Sequence, residues 1–170
     1  TDISPKSVEV MNKKFSKYKN FSSKVADMED LPFKKESFDI ICSSGSLSYG
    51  NNDIVIEQIY RLLKPQGRVV ILDSLNNNPI YKLNRLIHYY KGNRTKSTLV
   101  RMPDLNLIKK YINKFGYGKV KFFGSITWAY PILNVILTEN LFCKFSNWVD
   151  KKFKIKKSAF NFFLNLKKIK

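Results

Sequence analysis

A chain of 170 residues and 19.9 kDa is one domain's worth of polymer, and 44% hydrophobic with 14% aromatic residues can build a core, which excludes a wholly disordered chain. Two cysteines, Cys42 and Cys143, exclude a disulfide scaffold, and no spaced Cys/His cluster suggests a metal. The 31 basic groups against 13 acids give a net charge of +18 and a pI near 9.9. That charge is unevenly placed: residues 1–73 hold 11 basic and 10 acidic groups, whereas residues 74–170 hold 20 and 3. The second half is therefore expected to meet something anionic, such as nucleic acid, phospholipid headgroups or an acidic substrate.

In chain order, Ser4-Pro5 reads as a helix start, with Val8, Met11 and Phe15 following at helical spacing. Lys24–Ala26 reads as a short strand running into Asp27–Phe33. Ser37–Cys42 is a second strand, leading into a Ser/Gly-rich turn at Ser43–Gly50. Asp53 is the expected cap of a helix with Val55, Ile59, Leu62 and Leu63 on one face, stopped by Lys64-Pro65-Gln66-Gly67. Arg68–Asp73 is almost continuously apolar, the pattern of a strand buried on both faces of a parallel sheet. Beyond it, a helix is predicted at Ile80–Tyr90 and a basic loop at Lys91–Arg101. Pro103-Asp104 opens a helix closed by Gly116. Lys119–Gly124 alternates like a strand, residues 130–150 form one or two amphipathic helices, and Ser158–Leu166 is the last strand. The fold class is α/β with a mainly parallel sheet.

Parallel α/β sheets bind ligands at the carboxyl ends of their strands. The polar groups expected there are Asp2, Asp27 with Met28, the Ser43–Tyr49 turn and Asp73. An acid just before a helix can accept hydrogen bonds from a ribose diol, and an acid beside an apolar side chain can take an adenine amine. Each acid taken alone reads first as a helix cap or turn.

Taken together, Asp2-Ile3-Ser4-Pro5, Asp27-Met28-Glu29-Asp30-Leu31-Pro32-Phe33, Ser37-Phe38-Asp39-Ile40-Ile41 and Leu62-Leu63-Lys64-Pro65-Gln66-Gly67-Arg68-Val69-Val70 resemble the class I S-adenosylmethionine-dependent methyltransferases. The resemblance covers residues 1–73 closely and 103–124 loosely. It implies a Rossmann-like sheet with a helical insert before the last strand, and S-adenosylmethionine as cofactor. By position it implies that Asp2 binds the ribose with Ile3 against the adenine, that Asp27 and Met28 hold the adenine edge, and that Ser43 and Ser44 lie near the methionine portion. Gln66 stands where the family usually has glycine, a harmless departure on this reading. Leu47-Ser48-Tyr49 stands where many relatives carry Leu-His-His. The family's glycine-rich loop is missing, so the chain is expected to be an N-terminally truncated fragment that binds the cofactor poorly alone. Residues 1–73 form its cofactor-binding half and residues 74–170 its basic, acceptor-side half.

For the acceptor, His88 is the only histidine and the natural base, with Tyr49, Tyr89 and Tyr90 as alternatives or pocket walls. The insert's Asn76-Asn77-Asn78 and tyrosines suit sugar hydroxyls, and Arg85, Arg94 and Arg101 suit phosphate or carboxylate. Methyl transfer to a small molecule, sugar or glycolipid, as in surface-polysaccharide assembly, is the expected activity. RNA methylation, or a non-catalytic basic binding module on the same fold, is the alternative. The apolar residues of Tyr130–Val149, followed by Lys151, Lys152, Lys154, Lys156 and Lys157, can form either a lid over the acceptor or a peripheral membrane contact. With no leader and no apolar run of about 18–20 residues, the expected location is cytoplasmic, including the inner face of the membrane.

Overall fold

The computed structural model describes residues 1–153 and 155–169, so the predicted role of Lys154 lies outside the described residues. Twelve regular elements follow one another: α1 Pro5–Phe15, β1 Phe38–Ser44, α2 Asn52–Leu62, β2 Leu63–Ser74, α3 Pro79–Tyr90, α4 Lys96–Val100, α5 Leu105–Phe115, β3 Gly116–Phe123, a 3-10 turn at Thr127–Ala129, α6 Tyr130–Leu133, α7 Glu139–Phe153 and β4 Asn161–Lys168. The sheet order is β1-β2-β4-β3. β1 and β2 run parallel, and β4 is antiparallel to both its neighbours. The α6–α7 insert thus precedes the last strand, as expected. Only one of the three pairings is parallel, because β4 returns directly between β2 and β3.

Local chemistry explains the boundaries. At α1 the Ser4 hydroxyl accepts from the Ser7 N–H and Pro5 opens the helix. Asn51, not Asp53, caps α2: its side-chain oxygen accepts from the Asp53 N–H at 3.1 Å. Asp53 sits instead in the first turn, where a carboxylate meets the positive end of the helix dipole, and pairs with Lys110 of α5. The predicted strand at Lys24–Ala26 is reduced to a single parallel bridge between Asp2 and Val25. The basic loop after α3 contains the short helix α4, capped by Thr95. The last strand extends past Leu166 to Lys168, whose ammonium is buried and donates to the Tyr60 and Leu63 carbonyls at the carboxyl end of α2.

The core lies on one face of the sheet. Val55, Ile56 and Ile59 of α2 and Ile108, Tyr111 and Phe115 of α5 cluster with Val69, Ile71, Phe162, Leu164 and Leu166. β2 is therefore not buried on both faces as its apolar run suggested. Val69, Ile71 and Asp73 point into the core, while Leu72 remains 40% exposed and Ile40 of β1 60% exposed. Continuous hydrophobicity in β2 reports the residue types but not whether a helix covers each face.

Three connections position the strand ends. Arg61 of α2 donates to the Phe33 and Leu31 carbonyls at 2.8 and 2.9 Å, fixing the segment that carries Asp27 and Met28. The turn at 64–67 is folded into β2, where Gln66 adopts φ +66°, a left-handed conformation that favours glycine. Gln66 is thus a strained departure, its amide donating to the Ile169 carbonyl at 3.2 Å. Asp73, only 5% exposed, accepts from the Leu47 N–H at 3.0 Å and the Ser74 N–H at 2.7 Å. Burial pushes its carboxyl above the usual aspartate range, although those N–H groups and the more distant Arg85 pull the other way.

Two outcomes follow for stability. A Cβ at Gly67 meets the Lys64 and Asp39 carbonyls at 2.9 and 3.0 Å, backbone atoms that cannot yield cheaply. Gly67→Ala should lower stability by about 2–3 kcal/mol, read as a drop in the urea midpoint at unchanged slope. Asp73 binds its proton more tightly folded than unfolded, so it favours the native state most when protonated. That contribution is present below the unfolded pKa and is lost as pH rises through the higher folded pKa. The stability difference between the native chain and Asp73→Asn, followed by urea titration across that range, should therefore shrink as pH increases.

Candidate functional site

The carboxyl end of β1 with the turn after it, the turn at 27–30, the residues at the Asp2–Val25 bridge and one face of α2 enclose an open cavity of about 760 Å³. Asp2, Ile3, Asp27, Met28, Ser43, Ser44 and Tyr49 all line it. The structure thus brings the predicted cofactor residues together with Tyr49, whereas Asp73, Tyr89 and Tyr90 do not line this cavity and His88 lines a separate one with Arg85 and Arg94.

The two acids are held alike. Asp2 accepts from the Ser4 N–H and Asp27 from the Glu29 N–H, each through Oδ1 at 2.8 Å. Both are therefore turn-forming residues, yet in each the second carboxylate oxygen has no partner among the described residues. Ser43 and Ser46 share a hydroxyl hydrogen bond at 2.6 Å across the mouth of β1. The backbone of the following turn is anchored by Asp73 through Leu47 and by Asn52, whose amide donates to the Leu47 carbonyl at 2.8 Å.

Residues that sequence reasoning passed over complete the walls. Gly50 allows a close approach, since a Cβ there would meet the Met28 sulfur at 2.7 Å and Val55 at 2.9 Å and make those side chains shift. Its place in a Ser/Gly-rich turn was the only available signal. Glu29 accepts from the Asn51 N–H at 2.6 Å and lies 3.8 Å from Arg101, which itself donates to the Tyr49 carbonyl at 3.1 Å. Arg101 was expected to meet phosphate or carboxylate; it faces the Glu29 carboxylate and so straps the Tyr49 turn to the Asp27 turn.

The insert also departs from expectation. Asn76, Asn77 and Asn78 were read as donors for sugar hydroxyls, but their side-chain oxygens accept from Arg85 at 2.9 Å, the Leu105 N–H at 3.1 Å and the Ile80 N–H at 2.8 Å. Those contacts order α3 and α5 instead. Tyr81 is buried against Phe160, with ring centroids 4.8 Å apart. Arg85 is 5% exposed and donates to the Leu75 carbonyl at 3.1 Å. Burial and the nearby Arg94 lower its pKa to about 10.

The sequence and the fold both have counterparts among known proteins. Residues 1–71 match the family of methyltransferase domains. The chain is 31% identical over 109 residues to a sterol 4-C-methyltransferase of Caenorhabditis elegans, covering 61% of this chain and 32% of that protein. It is 28% identical over 126 residues to the ubiquinone/menaquinone biosynthesis C-methyltransferase UbiE of Blochmanniella pennsylvanica, covering 64% and 49% respectively. The chain thus spans from a third to a half of the length of these relatives. Its fold superposes on geranyl diphosphate C-methyltransferase from Streptomyces coelicolor with a TM-score of 0.66 at 16% identity, over 98% of this chain and 62% of that one. A putative sarcosine dimethylglycine methyltransferase from Galdieria sulphuraria gives 0.61 at 14% identity, over 98% and 69%. The residues matched to the methyltransferase-domain family, 1–71, are the ones that bring Asp2, Asp27 and Ser43 to one cavity, and the fold of the chain is that of these methyltransferases.

Proposed function

We propose that the protein transfers a methyl group from S-adenosylmethionine to a small-molecule acceptor, with residues 1–73 holding the cofactor and residues 74–170 meeting the acceptor. The observation that carries this reading is the convergence of Asp2, Asp27, Met28 and Ser43 on one cavity at the carboxyl ends of the strands. The residues present fit an adenosine. Each acid keeps one oxygen available for a ribose hydroxyl or an exocyclic amine, and Met28, fixed against Gly50, offers an apolar face for a base. Ile3, 67% exposed, is available to cover the other side. When bound, the cofactor supplies a methyl group on a sulfonium that departs as a neutral thioether. The chain's own work is to align the acceptor and exclude water. Tyr49 stands at the mouth as a wall or proton acceptor.

Several observations support a small molecule as acceptor. The curated relatives are named for sterols and quinones, and one solved neighbour was determined with geranyl diphosphate. Within that class we favour an acceptor carried at a lipid surface, a glycolipid or similar molecule. α7 turns Phe142, Ser146 and Val149 inward and leaves Leu141, Phe145 and Trp148 outward at the same helical spacing. Before it, Val135 and Ile136 are 84% and 83% exposed. Lys151, Lys152, Lys156 and Lys157 are exposed around this apolar stripe, with the Lys152 ammonium 5.1 Å from the Trp148 ring. Apolar wedges ringed by lysines suit an anionic bilayer. None of the described helices is long and apolar enough to cross a membrane.

Two measurements test this. In the full-length protein, Asp27→Ala should weaken S-adenosylhomocysteine binding by on the order of 1–3 kcal/mol, roughly 5- to 150-fold by calorimetry. Unchanged affinity would remove Asp27 from the site. The protein should also sediment with anionic liposomes at low salt and be released as ionic strength rises. Charge reversal at Lys151, Lys152, Lys156 and Lys157 should abolish that association while sparing cofactor affinity. Stripping from liposomes by excess RNA would favour nucleic acid as the partner instead.

A further inference from the structure

The second cavity, of about 310 Å³, opens at Ser74, the residue after the Asp73 clamp, and runs beneath α3 to the loop at Asn93-Arg94. Its polar lining consists of donors and hydroxyls without a single carboxylate: Ser74, Asn84, Arg85, His88, Asn93 and Arg94. Tyr81 and Phe160, packed ring to ring, form the apolar wall.

Arg85 is an unusual residue to find there. A guanidinium that is 95% removed from solvent is ordinarily matched by a carboxylate, since burying a lone charge is costly. Arg85 has only the neutral Leu75 carbonyl and Asn76 amide oxygen as hydrogen-bond partners, both through Nη1. Among the described residues neither Arg85 nor Arg94 makes an ion pair. The nearby buried acid, Asp73, already accepts from two backbone N–H groups, and its charge reaches Arg85 only at longer range. Arg94 adds repulsion rather than relief. His88 is oriented by Asn93, whose amide donates to Nδ1 at 3.4 Å, which leaves Nε2 as the proton-bearing nitrogen of the neutral ring. Two mutually repelling guanidinium groups, an imidazole and two carboxamides around one polar hole are complementary to a multiply charged oxyanion, whose oxygens accept from several donors at once.

We propose that this cavity binds a phosphate group of the acceptor, so that the acceptor is a phosphate-bearing molecule. The inference rests on the methyltransferase reading for the word acceptor, but the anion site itself does not. The phosphate belongs either to a soluble phosphomonoester or to a lipid headgroup, and Ser74 of this cavity follows Asp73, whose carboxylate holds the Leu47 N–H next to Ser46 of the cofactor-side cavity. A phosphate seated between Arg85 and Arg94 supplies the negative charge that the fold omits. Its ester substituent lies along the Tyr81–Phe160 wall.

The test uses inorganic phosphate as probe on the full-length protein, with S-adenosylhomocysteine binding measured on the same samples. Saturable phosphate binding by calorimetry at physiological ionic strength is expected, at least about tenfold weaker in Arg94→Gln, with acetate binding much less well. Arg94 is exposed, so this variant keeps its fold; Arg85→Lys, which retains the charge but loses the planar fork, should weaken binding in the same direction. Affinity for S-adenosylhomocysteine should stay unchanged in Arg94→Gln. Absence of saturable phosphate binding, or equal affinity in Arg94→Gln, overturns the anion site while cofactor binding still upholds the methyltransferase reading. Phosphate binding without cofactor binding does the reverse. Equal affinity for acetate and phosphate also overturns the proposal, since it assigns the cavity to carboxylates. Phosphatidic acid vesicles that displace the probe support a lipid headgroup; displacement only by soluble methyl phosphate supports a free phosphomonoester.

Discussion

The Asp73 carboxylate ties the two ends of the functional face together. Buried at the carboxyl end of β2, it accepts from the Leu47 N–H on one side and the Ser74 N–H on the other. The first bond fixes the turn after β1, and with it Ser43, Ser46 and Tyr49 at the larger cavity. The second fixes the exit of β2, where Arg85 donates to the Leu75 carbonyl and opens the smaller one. An asparagine there offers only one acceptor oxygen, so one of the two loops would lose its anchor without the acid. The energetic cost is visible in the raised pKa: burial outweighs the hydrogen bonds. The site is thus built on a strand end that is strained electrostatically and rigid geometrically, the usual trade at positions where function depends on alignment.

A second constraint is the asymmetry of the sheet. Helices α2 and α5 bury Val69, Ile71, Leu164 and Leu166 on one face, while Ile40 and Leu72 stay open on the other. The turn carrying Asp27 and Met28 is joined to this body through side-chain and loop contacts: Arg61 on the Leu31 and Phe33 carbonyls, Glu29 on the Asn51 N–H, and Arg101 bridging Glu29 and Tyr49. Hydrogen bonds of this kind each contribute about 1 kcal/mol. The geometry between Asp27 and Ser43 therefore depends on these polar contacts and on Met28 packing against the core, rather than on a continuous ladder of strands.

Much of this was legible because local chemistry and periodicity agree. Ser4-Pro5, Asp104 before α5 and Gly116 at φ +80° each announce a helix boundary through one atom or one backbone angle. Asp2, Asp27, Met28 and Ser43 were legible only through order along the chain, since each alone is a turn residue, and in the structure each acid indeed serves a turn as well. What stayed hidden depends on tertiary context. Asn51 displaces Asp53 as cap by a shift of the helix start, which the sequence pattern tolerates equally. Asn76–Asn78 look like ligand donors until the backbone groups they satisfy come into view. The burial of Lys168 and Arg85 has no local signal, because a long side chain can carry its charge to carbonyl groups that no other donor reaches. His88, sole representative of its residue type, drew attention as a base; the fold sets it among arginines instead.

The uneven charge takes on a more specific meaning once the pairs are placed. Part of the excess in the second half is answered by acids of the first: Lys110 meets Asp53 and Lys114 meets Glu57, so the near-neutral half owes some of its acids to the interface between α2 and α5. Lys168 belongs to the core. These pairs are exposed and each contributes little to stability, but they show that the halves are electrostatically complementary within one body. Two sets of basic groups without such answers are the arginines around α3 and the lysines at the end of α7 and beyond it. The first set converges on an enclosed cavity and suits a discrete anion; the second is spread around exposed Phe145 and Trp148 and suits an extended anionic surface. One partner satisfies both if it is a phosphorylated molecule presented at a lipid surface, with its charged group held by Arg85 and Arg94 while α7 rests on the surrounding bilayer.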